Sequence, residues 1–135
     1  MDGNAAPIGP VTVIRHEGTA VLAVTGEIDI ATVGPLRTVL HGLLDERLTS
    51  IVVDLEDVDF FGSSGISTLV DAVHRADRLG VRLSVATAKH AVRRGLEITR
   101  TDELLTVYGS VAEALGAAVP PPRDGVEIQQ MPGVR

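Results

Sequence analysis

Cysteine and tryptophan are absent, and aromatic residues make up only 2% of the chain. Without cysteine there is no disulfide and no thiolate metal site, and the redox compartment stays undecided. So few aromatics leave little to stack on bases, and a net charge of −6 opposes a nucleic-acid partner. No apolar run approaches the ~20 residues needed to cross a bilayer. Met1-Asp2-Gly3-Asn4 shows no basic region followed by an apolar stretch, so no secretory signal is expected and the cytoplasm is the expected compartment. What remains is 135 residues at 44% hydrophobic content, enough for one domain. A chain of that length buries roughly two-thirds of the surface its unfolded form exposes. Its core must be built from Val, Leu, Ile and Ala.

The apolar pattern places the elements in order. Val11, Val13 and Ile14 form a short strand, and Thr19 to Thr25 form a second, with Glu17-Gly18 as the tight turn of a hairpin. Gly26-Glu27-Ile28-Asp29 reads as a polar loop. Thr32 is the expected cap of a helix that tolerates Pro35 in its first turn and carries Val33, Leu36, Leu40, Leu43 and Leu44 on one stripe. Ile51 to Leu55 is a β-branched run suited to a buried strand. Ile66, Leu69, Val70, Val73 and Ala76 recur at helical spacing and predict a second helix, ended by Gly80. A strand over 81–86, a helix from Lys89 to about Thr99 resting on Val92, Leu96 and Ile98, and a short strand over 105–108 follow. Ser110 caps a last helix using Val111, Leu115 and Ala118, which Pro120-Pro121-Pro122 stops.

Strands alternating with helices after a hairpin imply right-handed crossovers and a mostly parallel sheet. The expected fold is therefore α/β: one domain over residues 11–118, five strands and about four helices. A flexible N-terminus over 1–10 and a disordered tail over 119–135 are expected to flank it. In open sheets of this kind, ligands and partners meet the loops at the carboxyl ends of the strands. The loops at 27–32, 59–64 and 87–89 should share that rim, with Asp29 and Ser63 on one edge.

The junction Asp59-Phe60-Phe61-Gly62-Ser63-Ser64-Gly65-Ile66 carries the most chemistry, because two small hydroxyls stand where a strand becomes a helix. The site could be a helix cap, an anion cradle or a switch. A serine hydrolase needs Gly-x-Ser-x-Gly, and Gly62-Ser63-Ser64-Gly65 is one residue too short. His16, His41, His74 and His90 fall in different elements, so no base is tied to the serines. A phosphate-binding nucleotide loop needs a lysine after its glycines, and none follows Gly62 or Gly65. Asp54, Glu56, Asp57 and Asp59 form an acidic cluster, read as a solvated connection after Asp54 ends the strand rather than as a Mg²⁺ site. Lys89, Arg93, Arg94 and Arg100 read as an exposed basic helix face. No metal, no cofactor and no catalytic residue are expected.

Several segments jointly resemble the STAS-domain anti-sigma factor antagonists, also called anti-anti-sigma factors, of bacteria. These are Gly26-Glu27-Ile28-Asp29, then Val52-Val53-Asp54-Leu55 through Phe60-Phe61-Gly62-Ser63-Ser64-Gly65-Ile66, then Ala91 to Leu96 and Asp102 to Leu105. The resemblance spans roughly Val11 to Leu115. It implies a non-enzymatic regulator of transcription that binds an anti-sigma factor with GHKL-type serine kinase activity and releases a sigma factor. Phosphorylation of the first serine of Ser-Ser-Gly, here Ser63, would switch it off, and a phosphatase would be a further partner. The implied partner surface comprises Glu27, Asp29, Asp59, Gly62, Ser63, Ser64, Gly65 and Ile66, with Asp29 and Asp59 adding repulsion to a phosphate. Gly62 stands where the family has aspartate, which leaves capping to Ser63 or Ser64 and makes Ser64 the second candidate for modification. An alternative from the same resemblance is a non-switching scaffold subunit of a stress-signalling or lipid-transport complex. Oligomeric state is left open.

Overall fold

The protein is described by a computed structural model over residues 11–118; the expected N-terminal arm and C-terminal tail lie outside the described residues. Strands β1 (Val11–His16) and β2 (Thr19–Ile28) form the expected antiparallel hairpin. Its turn places Glu17 at φ 49° and Gly18 at φ 85°, the doubly left-handed geometry that matches the twist of two paired strands. After it come α1 (Gly34–Asp45), β3 (Ser50–Phe61), α2 (Ser63–Leu79), β4 (Arg82–Ala86) and α3 (His90–Ile98). A short 3-10 turn (Thr101–Glu103), β5 (Thr106–Tyr108) and α4 (Val111–Ala118) complete the described chain. The five strands lie in the order β1-β2-β3-β4-β5, with β2 to β5 parallel and β1 antiparallel at one edge. The expected α/β architecture is the observed one.

The two sheet faces are covered unequally. Leu36, Leu40, Leu43 and Leu44 of α1, Leu69, Ala72, Val73 and Ala76 of α2, and Val92 and Leu96 of α3 share one core cluster with Ile51, Val53 and Leu55. Helix α4 packs Ala114 with Val52 and Ala86 in a second, smaller cluster. Ile98 is 70% exposed, so α3 rests on Val92 and Leu96 without it, contrary to expectation. Ser110 does cap α4, its hydroxyl accepting from the Glu113 amide at 3.1 Å while the Glu113 carboxylate accepts from the Gly109 amide at 2.8 Å.

Strand β3 corrects the expected layout most. It does not stop near Leu55; Glu56, Asp57 and Asp59 lie within it rather than in a connection, and Asp54 does not end it. Its pairing with β2 skips one β3 residue between the Ala23–Asp54 and Thr25–Asp57 partners, and another between Gly26–Val58 and Glu27–Phe60. Each extra residue is a β-bulge, which re-aims the side chains that follow. The buried residues Leu55, Val58 and Phe61 are consequently three apart instead of two. Likewise Glu27 and Ile28 belong to β2, not to a loop.

Candidate functional site

The carboxyl ends of β2 and β3 are held side by side. Ile28 and Phe61 are register partners, and the Gly62 amide donates to the Ile28 carbonyl at 2.9 Å. The turn after Ile28 and the start of α2 therefore flank each other on one rim. Asp29 builds its turn by itself: Oδ1 accepts from the amides of Ala31 at 2.9 Å and Thr32 at 3.1 Å, and from the Thr32 hydroxyl. Thr32 is not the helix cap it was expected to be. Val33 holds the cap position, and the Thr32 hydroxyl bonds instead to the Asp29 amide and the Glu27 carbonyl.

Neither serine caps α2. Gly62 occupies the cap position in extended geometry (φ −85°, ψ −172°), with no side-chain cap hydrogen bond. Its carbonyl accepts from the amides of Gly65 and Ile66, both at 3.1 Å. Ser63 is thus the first helical residue and exposed; Ser64 is half-buried, and its carbonyl accepts from the buried Thr68 hydroxyl at 2.9 Å. The expectation that a serine replaces the missing aspartate cap is overturned because extended glycine needs no side chain to start the helix. Gly65 is buried under the Phe61 ring, and Ile66 is half-buried against the core, pointing toward Gly95 of α3.

Among the described residues, one rim charge is paired and another is free. Asp59 reaches Lys89 Nζ at 2.8 Å, and Lys89 sits at the start of α3 with its amide donating to Thr87 Oγ1. Asp59 is therefore half of an ion pair rather than the free repulsive group expected. Glu27 is exposed at the end of β2, beside its register partner Phe60. Asp54, on β3 before both bulges, has its carboxyl pushed above the usual carboxylate range by burial, opposed by the hydrogen bond it accepts from the Glu56 amide at 2.9 Å and raised further by the Glu56 and Asp57 charges. Among the described residues no three His, Asp or Glu side chains converge as metal ligands, and no helix is long and apolar enough to cross a membrane.

Two rim residues escaped the sequence reading. Ile30 is 87% and Phe60 52% exposed, in a chain with only two phenylalanines. The available signal was Phe60 itself, beside Phe61 on a strand, where two adjacent apolar residues cannot both face the core.

Comparison with known proteins adds the lineage. The STAS domain family matches residues 10–114. The chain is 30% identical over 105 residues to the anti-sigma-F factor antagonist RsfB of Mycobacterium tuberculosis, covering 78% of this chain and 85% of that protein. A solved anti-sigma factor antagonist from Mycobacterium paratuberculosis has a TM-score of 0.75 at 28% identity, over 80% of this chain and 92% of its own. Bacillus SpoIIAA in its phosphorylated form shares the fold, with a TM-score of 0.65 at 16% identity over 81% of this chain and 99% of its own.

Proposed function

This chain belongs to the STAS domain family, and from that premise we propose that it is an anti-sigma factor antagonist switched off by phosphorylation at Ser63. The unmodified protein captures a cytoplasmic anti-sigma factor with GHKL-type serine kinase activity and so releases a sigma factor. It acts by binding, not by catalysis, and a phosphatase resets it. The binding unit is residues 11–118.

The observation that carries this reading is the exposed hydroxyl of Ser63 at the first position of α2, directly after an extended glycine. A phosphate there adds about −1.5 to −2 charges beside the positive end of the helix dipole, where the protein's own fold tolerates it. In a closed interface the same charge must be desolvated or paired, and left unpaired it costs several kcal/mol. Every ~1.4 kcal/mol weakens binding tenfold. Modification therefore keeps the fold and loses the partner. Ser64 fits less well as the acceptor, being half-buried.

The test is intact-mass analysis of wild type, Ser63→Ala and Ser64→Ala after incubation with ATP and candidate anti-sigma kinases, with binding measured in parallel. One phosphate on wild type and Ser64→Ala, none on Ser63→Ala, and binding retained by Ser63→Ala is the expected pattern. Capture of no anti-sigma kinase in either state would overturn the reading, as would a phosphate that persists on Ser63→Ala.

A further inference from the structure

The rim around Ser63 carries charge at exposed Glu27 and in the exposed Asp59–Lys89 pair. One Asp29 oxygen, Oδ1, is engaged by the Ala31 and Thr32 donors. Two apolar side chains also stand out into solvent there: Phe60, 52% exposed near the end of β3, and Ile30, 87% exposed in the turn after β2. Phe60 is also held in place. A β-carbon at position 62 would lie 2.8 Å from Phe60 Cε2 and 3.1 Å from Cζ, so the ring lies against the bare Cα of Gly62. Glycine at this position is therefore the condition for the ring's posture, and a side chain there would push the ring aside.

We infer that Phe60, seated on Gly62 three residues before Ser63, is the apolar anchor that this protein inserts into a recess of its anti-sigma factor. This rests on the function proposed above and names what the partner must present: a hydrophobic recess that takes the Phe60 ring. An exposed aromatic already resting against backbone before binding loses less entropy on docking than a free one, which suits an interface hot spot. It also explains why Ser63 is the place to break the complex. A phosphate next to a desolvated apolar contact must shed its water to stay there. Glu27, register partner of Phe60, lies at the edge, where a charge tunes the rate of encounter more than the affinity.

The experiment is calorimetric titration of the unphosphorylated protein, as wild type, Phe60→Ala, Ile30→Ala and Gly62→Ala, with each candidate anti-sigma kinase that captures wild type. Urea unfolding of every variant serves as the fold control. Phe60→Ala is expected to weaken binding about thirtyfold or more, as a hot-spot residue does. Gly62→Ala is expected to weaken it too, although Phe60 is still present, because the ring is displaced. Binding by Phe60→Ala within about threefold of wild type would overturn the anchor while leaving the antagonist reading intact. If wild type captures no anti-sigma kinase, the functional reading fails and the anchor with it.

Discussion

The Phe61 ring lies face to backbone against Gly65, so close that a β-carbon at position 65 would stand 2.7 Å from both Cε1 and Cζ. This contact locks the last residue of β3 to the first turn of α2 and so fixes where Ser63 points. Two opposed effects act on Gly65→Ala. Alanine gains about 1 kcal/mol over glycine within a helix. Forcing a methyl into a packed contact costs about 1–3 kcal/mol. Phe61 is only 8% exposed, so the ring has nowhere to swing and the cost wins. A net loss of up to about 2 kcal/mol is expected, read as a lower urea midpoint at unchanged slope. A midpoint at or above wild type would show that the ring yields.

Asp29 separates a structural role from a recognition role. Its Oδ1 holds two amides and a hydroxyl, so Asp29→Ala leaves turn donors unpaired and should cost about 1–2 kcal/mol. Asparagine keeps an acceptor oxygen at that place, and Asp29→Asn should cost less than about 0.5 kcal/mol. Urea unfolding of the two variants checks this. Equal losses would mean that the charge, not the hydrogen bonds, holds the turn.

The hairpin and the helices were legible because their signals are local. Glu17-Gly18 encodes its own turn, and Leu36, Leu40, Leu43 and Leu44 state a helix face without help from elsewhere. Strand β3 was legible only to Leu55. Beyond it, two bulges set the spacing of Leu55, Val58 and Phe61 to three, and acidic residues at the outward positions imitate a loop. The junction was found, but its mechanics were not. That Gly62 rather than a serine starts α2 depends on its amide bonding to Ile28, a residue distant in sequence. The Asp59–Lys89 pair is of the same kind, joining β3 to the start of α3. Periodicity cannot report contacts made by tertiary pairing.

Asp54 gives the pH dependence a definite sign. Burial raises its carboxyl above the unfolded value of 3.8, so between the two values the folded state binds more proton than the unfolded. Its contribution to stability is therefore fully present below the unfolded value and is lost as pH rises through the folded one. Asp54→Asn carries no charge and keeps an oxygen for the Glu56 amide. Relative to wild type, the variant should be stabilised at neutral pH, with the advantage shrinking as pH falls toward 3.8. Urea midpoints of both proteins across that range are the measurement. An advantage that is constant with pH would place its origin in packing rather than in the buried charge.

Ser63 must accept negative charge without damage to the fold if it is to act as a switch. Its place at the first position of α2, with no acidic residue in that turn, makes Ser63→Asp favourable to the helix dipole. A gain of about 0.3–1 kcal/mol at low salt is expected. The gain should shrink as salt screens it, and Ser63→Lys should show the opposite sign. Urea unfolding at two ionic strengths measures both. A stable Ser63→Asp that no longer binds the anti-sigma factor would separate fold from interface at one atom group. A loss of stability greater than about 1 kcal/mol would instead mean that charge at this position disrupts the junction. Phosphorylation there would then act by unfolding the site, and release of a still-folded antagonist would be untenable.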